Sequence, residues 1–114
     1  MHEYGVTCKV IKIAEENAKQ NNALKVTDIY LVVGDMSGFI GESIQMYFDV
    51  ISQDSITNGA KLHIRVIRSQ LFCNSCQVNF DRPKYSFECP VCHQNGSPTE
   101  TGKEFFVEKI EIEV

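Results

Sequence analysis

Apolar residues recur along the first part of this chain with a helical period. Val6, Val10, Ile13, Ala14 and Ala18 form one stripe, and Lys9, Lys12, Glu15, Glu16 and Lys19 fill most of the other side. This pattern predicts an amphipathic helix over residues 4–21. The run Gln20-Asn21-Asn22 ends it with poor helix formers. Residues 25–33, KVTDIYLVV, are β-branched and apolar enough for a buried strand. Residues 34–41, GDMSGFIG, read as a turn. A second helix is expected over 42–53, with Ile40, Ile44, Tyr47, Phe48 and Ile51 on one stripe. After a turn at 57–61, Leu62, Ile64 and Val66 alternate with Lys61, His63 and Arg65. That is the period of a half-buried strand over 61–68. Regular periodicity is then missing from 70 to 103 and returns in FFVEKIEIEV, 105–114. There Ile110, Ile112 and Val114 oppose Lys109, Glu111 and Glu113.

The order helix, strand, helix, strand, irregular segment, strand predicts an α+β fold. Its expected form is a small three-stranded mixed sheet with two helices on one face. Residues 1–69 and 104–114 would make one α/β domain. Residues 70–103 would be an inserted zinc-ribbon-like module projecting from an edge or end.

Composition narrows the class. The chain has 114 residues, 43% of them hydrophobic, which suits one globular domain or a domain plus a small module. There is no long apolar run, so no membrane span is expected. The charge-rich start does not resemble a signal peptide, so the chain is expected to be mature from Met1 and cytoplasmic. The net charge of -4 is shared as -1 over residues 1–69 (7 basic, 8 acidic), 0 over 70–103 (3 and 3) and -3 over 104–114 (1 and 4). No segment offers the basic patch that a nucleic-acid backbone requires.

Four of the five cysteines form two Cys-x-x-Cys pairs, CNSC (73–76) and CPVC (89–92). Two such turns facing each other complete a tetrahedral tetrathiolate site, which favours Zn²⁺. A segment without a hydrophobic pattern also needs metal binding to fold. The competing readings are a redox dithiol pair and an iron–sulfur cluster. The redox reading is weakened because neither pair is expected to follow a strand and open a helix. With all four ligands thiolates, no coordination position is left for catalysis. The rival for the whole chain is a zinc-ribbon module that binds protein or nucleic acid and delivers no metal. Charge opposes the nucleic-acid version: four thiolates and one Zn²⁺ add -2, and Arg82 and Lys84 are the only central cations. Phe80, Tyr85 and Phe87 are expected to pack beneath the knuckles rather than stack on bases. His93 reads as a solvated loop histidine or as a pH-responsive neighbour of the cluster.

Other chemistry is not supported. GDMSGFIG matches neither phosphate-binding glycine motif, G-x-x-x-x-G-K-[ST] or G-x-G-x-x-G. Cys8 reads as a small, partly buried hydrophobe in the first helix, and His63 as a surface residue. No carboxylate pair or nucleophile–base pair stands out, so the chain is not expected to be an enzyme.

His2 stands one residue from the N-terminus. Fraying is one reading. Chelation is the other: the terminal amine, the amide nitrogens of His2 and Glu3, and the His2 imidazole can close adjacent rings around one ion. Four planar nitrogens suit Ni(II) or Cu(II). Glu3 could also lend its carboxylate or favour the first helical turn.

Several features together resemble one family: the Met1-His2-Glu3 start, Ser37 after a VVG strand end, YFDVIS, NGAKLHI, CNSC, CPVC and TGKEFFVEKIEIEV. Along essentially its whole length the chain is similar to the HypA hydrogenase nickel-incorporation proteins. The resemblance implies a nickel metallochaperone that loads [NiFe]-hydrogenase, with urease a further client in some relatives. It implies transported Ni²⁺ held by Met1, His2 and Glu3, and structural Zn²⁺ held by Cys73, Cys76, Cys89 and Cys92. The implied partners are a GTPase of the maturation system, the hydrogenase large subunit or its maturation complex, and urease maturation proteins. A monomer or homodimer fits equally. The chain departs from the family at Gln77, where some relatives carry a histidine beside the knuckle, and at Asp35, where glutamate is more usual.

Overall fold

The computed structural model describes residues 2–114, with side chains from Glu3 onward. Helix α1 spans His2–Gln20. Its buried side is Glu3, Thr7, Val10, Ile11, Ala14 and Ala18, whereas Ile13 is 42% exposed. The expected stripe is therefore rotated, losing Ile13 and gaining Thr7 and Ile11. Thr7 fits the core because its hydroxyl donates to the Glu3 carbonyl at 2.5 Å. Asn22 ends the helix in a left-handed conformation, φ 54°. The Ala23 N–H then donates back to the Ala18 carbonyl at 2.9 Å, capping the last turn.

Strand β1 (Lys25–Gly34) is the centre of the main sheet. Helix α2 (Gly41–Ile51) follows, with a 3-10 turn at Ser52–Asp54 where the expected helix was to run on. Strand β2 (Lys61–Ile67) pairs parallel to β1, and the last strand, β6 (Phe105–Glu113), pairs antiparallel on its other side. This is the mixed three-stranded sheet that the sequence predicts. Both helices pack on one face: Val10, Ile11, Ala14, Ile44 and Phe48 meet Val26, Ile29, Leu31 and Val33 in a single core. Two register shifts along β1–β6 change the alternation, so that Phe105, Val107, Ile110 and Ile112 all reach that core. Val114 is outside the strand and 80% exposed, contrary to its expected place on the inner face.

The opposite sheet face is polar. The His63 ring stacks on Tyr30 at 4.2 Å between centroids, and His63 Nε2 lies 2.7 Å from Asp28 Oδ2. The hydrogen bond from His63, then that from Thr27, holds the Asp28 carboxyl below its usual range. His63 is thus a half-buried member of a cross-strand cluster rather than a free surface residue. The Tyr30 hydroxyl donates to the Glu111 carboxylate. That bond, helped by desolvation, pushes the phenol up to about 12. A raised pKa stabilises the fold fully below the unfolded tyrosine value of about 10 and is lost as pH rises from there towards 12. An absorbance titration should therefore show Tyr30 ionising above the ordinary tyrosine range. Glu111→Gln should bring Tyr30 back towards the ordinary tyrosine value of about 10; an unchanged titration curve in that variant would refute the assignment.

Between β2 and β6 lies a second, separate sheet that the sequence pattern does not reveal. Strand β3 (Gln70–Cys73) pairs antiparallel with β4 (Val78–Asp81) on one side and with the two-residue β5 (Ser97–Pro98) on the other. Its apolar centre is small. Leu71 is fully buried, and Gly96 packs so closely that a Cβ there would meet Phe80 at 2.6 Å. The molecule is elongated, 55 × 26 × 17 Å, with a radius of gyration of 17.5 Å. A compact chain of this length would give about 13 Å. The two sheets are separate, with no strand shared between them.

The two sheets meet at a tight junction. Gly34, at the end of β1, donates to Glu104 O, Asp35 N–H to Ile67 O and Met36 N–H to Gly102 O, at 2.6–2.9 Å. The Ser69 N–H donates to Asp35 Oδ1 at 3.1 Å. A Cβ on Gly34 would sit 2.1 Å from the Gly102 carbonyl oxygen, and Gly102 itself has φ 108°. Gly34 of GDMSGFIG and Gly102 of TGK thus serve close backbone approach, in keeping with the turn expected there.

Candidate metal centres

The first centre lies in the second sheet. Strand β3 delivers Cys73 into the turn that carries Cys76, and β4 leads away, so the first pair sits in a β-hairpin. It follows a strand but opens no helix, so it lacks the strand-to-helix setting of a redox pair. The second pair occupies the long connection between β4 and β5. The two turns have the same local form. Gln77 (φ 59°) donates its N–H to the Cys73 carbonyl at 2.8 Å; His93 (φ 64°) donates its N–H to the Cys89 carbonyl at 2.9 Å. Each knuckle is therefore closed by a left-handed residue immediately after its second cysteine. Sequence reasoning did not find this role; the shared position after each pair is the signal for it. His93 has an exposed side chain and is not among the clustered ligand atoms.

The four sulfurs converge. Cys73 Sγ lies 3.4 Å from Cys92 Sγ and Cys76 Sγ 4.0 Å from Cys89 Sγ. All four lie within 4.8 Å of one another, and all four thiols are free. With Zn–S bonds of about 2.3 Å, a tetrahedral site has sulfurs about 3.8 Å apart. The observed spacing brackets that value, and the donor set is the one zinc prefers. Protonation makes the same point. The Cys76 N–H, 3.3 Å away, leads in pulling the Cys73 thiol down to about 7. Cys73 then leads in pushing Cys76 up to about 12. At Cys92 the Gln94 backbone pulls down, but Cys73, desolvation and Cys89 outweigh it and the net shift is upward. Four thiolates this close require a cation among them. The cluster fits a zinc ion, which would be closed off by four sulfurs and would act as a structural cross-link.

Of the three aromatics expected under the knuckles, Phe80 is half-buried against Gly96, while Phe87 and Tyr85 are 42% and 89% exposed. Cys8 is half-buried in α1 and away from the cluster.

The second centre is at the start of α1. Met1 and the side chain of His2 lie outside the described residues. The helix includes His2 itself, two residues earlier than the sequence pattern predicts. Glu3 is 6% exposed, and its Oε2 accepts the Ile40 N–H at 3.3 Å. Tyr4 packs edge-on against Tyr47 of α2 at 5.6 Å. The first helical turn is thus fixed to the loop before α2 and to α2 itself.

Residues 1–112 match the family model described as hydrogenase/urease nickel incorporation, metallochaperone, HypA. The hydrogenase maturation factor HypA of Caldanaerobacter subterraneus subsp. tengcongensis is 36% identical over 114 residues, covering 99% of this chain and 100% of that protein. The HypA of Chlorobaculum parvum is 35% identical over 113 residues, with 99% and 100% covered. The solution structure of the Ni metallochaperone HypA from Helicobacter pylori superposes with a TM-score of 0.66 at 28% identity, covering 99% of this chain and 98% of that one. By the match of the family model and the identity to these relatives, this chain belongs to the HypA family of hydrogenase and urease nickel-incorporation metallochaperones.

Proposed function

We propose that this chain binds Ni(II) at its N-terminus and delivers it during maturation of [NiFe]-hydrogenase, with urease as a further client. The observation that carries this reading is the position of α1: its first turn begins at His2 and is held against α2 through Glu3 and Tyr4. A chelate through successive backbone nitrogens needs a ψ near zero, so that neighbouring nitrogens lie on one side. Helical ψ of about -42° comes much closer than the +135° of a strand. A helix that starts at His2 therefore brings the His2 and Glu3 amides near the geometry of a chelate ring before nickel arrives.

In this reading the ligands are the Met1 amine, the His2 amide and imidazole, and the Glu3 amide. The Glu3 carboxylate, engaged by Ile40, orients the turn. Four planar nitrogens match the preference of Ni(II), and an open terminal site lets the cargo leave. Residues 1–69 and 104–114 form the nickel-binding domain. Residues 70–103 form the zinc module, with Cys73, Cys76, Cys89 and Cys92 as ligands. The protein acts as a carrier, not an enzyme, in the cytoplasm. Its partners are a GTPase and the hydrogenase large subunit of the maturation system. No helix among the described residues is long and apolar enough to cross a membrane.

The test is a nickel titration of zinc-loaded protein with its native terminus. One equivalent of nickel should bind, with the absorption band of a planar four-nitrogen site, and His2→Ala should remove both. Undiminished affinity in His2→Ala would sink the reading.

A further inference from the structure

Three of the eleven cations of this acidic chain gather in one place at the junction of the two sheets. Arg68, Arg82 and Lys84 line an open cavity of about 360 Å³ together with Asp35, Pro83 and Tyr85. The cavity thus carries three positive groups and one carboxylate, and Asp35 already accepts the Ser69 N–H at 3.1 Å. The arginines are fixed in advance. Arg68 Nε donates to the Arg82 carbonyl at 3.0 Å, the Arg82 N–H donates to the Ser69 carbonyl at 2.9 Å, and the Arg82 guanidinium lies 4.9 Å from the centre of the Phe87 ring. Arg82 Nε is buried and has no hydrogen-bond partner among the described residues. That nitrogen is out of reach of a ligand, so an incoming oxyanion would meet the outer guanidinium nitrogens instead.

We propose that this cavity docks an acidic peptide segment of a protein partner. Guanidinium groups match carboxylates in bidentate geometry, and Lys84 adds a mobile charge at the rim. The cavity is larger than one oxyanion needs, and its remaining lining is apolar: Pro83, and a Tyr85 ring that is 89% exposed. Carboxylates on the cations with an apolar side chain against Tyr85 and Pro83 fill both parts. A nucleic acid would need a track of cations, and these three stand as a single cluster beside a tetrathiolate site of negative charge. The site is independent of nickel binding. It spans both sheets, so an occupied cavity would fix the partner relative to both.

The probe is a fluorescein-labelled Glu-Glu-Leu-Glu-Glu peptide, titrated against the full zinc-loaded chain and followed by anisotropy. Binding should saturate, weaken with salt, and fall at least tenfold in Arg68→Gln and in Arg82→Gln. Lys12→Gln, on the exposed side of α1, should match wild type. Arg82 also packs on Phe87, so Lys84→Gln, whose ammonium lies 5.4 Å from the exposed Tyr85 ring, serves as the variant that spares the interior, and zinc content is checked in each. The double reversal Arg68→Glu with Lys84→Glu should lose the acidic peptide and take up its lysine counterpart. Equal affinity in Arg68→Gln and Lys84→Gln would overturn the proposal. So would displacement of the peptide by an equal concentration of inorganic phosphate, or tighter binding of a single-stranded oligonucleotide.

Discussion

Cys76→Ser should strip zinc from the chain and unfold residues 70–103 while the main sheet stays folded. The magnitudes support so uneven an effect. A structural zinc site contributes on the order of 10 kcal/mol. The second sheet has little to replace it, since Leu71 is its one fully buried large apolar side chain among the described residues, and its strands are only two to four residues long. The main sheet has a core of its own, drawn from α1, α2 and β1. Amide hydrogen exchange separates the two: protection in β3 and β4 should vanish in Cys76→Ser or after chelation, and protection in β1 should persist. Cys8→Ser, outside the cluster, should keep its zinc. The metal also competes with protons. Without it Cys76 is pushed up to about 12 and Cys92 is raised as well, so zinc must displace protons that neutral solution leaves in place. Zinc retention should therefore weaken as pH falls. Full exchange protection of residues 70–103 in reduced, metal-free protein would show that the metal is not what holds them.

Two residues added before Met1 should abolish high-affinity nickel uptake. The proposed chelate uses the terminal amine as one of four donors, and an extension turns that amine into an amide beyond the new residues. Losing one ring of a fused chelate lowers affinity by orders of magnitude, well beyond the cost of one ordinary hydrogen bond. The same two residues after Val114, which is 80% exposed, should change nothing. Because Glu3 and Tyr4 anchor the turn from the side, circular dichroism and zinc content should be unaffected by either extension. Calorimetry of the extended protein gives the answer directly, and wild-type nickel affinity there would exclude the terminal amine as a ligand.

The parts of the fold that periodicity can report were legible. The two helices, the three strands of the main sheet and the place of the insertion follow from spacing, because one face of each element is buried. The errors come where a polar or geometric effect replaces hydrophobic patterning. Thr7 lies in the core by bonding the helix backbone, so the α1 stripe was misplaced by part of a turn. The β6 register shifts bring Phe105 and Ile110 to one face although strict alternation forbids it. The second sheet was invisible because knuckle turns, not apolar burial, determine its shape. The cysteine spacing announced the tetrathiolate cluster directly. The cavity at Arg68 and Arg82 could not be seen, since those residues are brought together only by the β2–β3 connection and the β3–β4 hairpin.

The junction also says how the chain can be cut and rejoined. In the main sheet β2 and β6 lie on opposite sides of β1, so the chain must pass over the end of β1 to get from one to the other. It does so above Gly34, where there is no side chain to cross, and Ser69 and Gly102 touch there. In topological terms residues 69–102 are a loop whose two feet stand side by side, and their removal leaves only a short gap to bridge. A few flexible residues joining Arg68 to Lys103 would restore the crossover. Excision of the segment should therefore leave the main sheet folded, since none of the core packed between α1, α2 and β1 comes from residues 69–102.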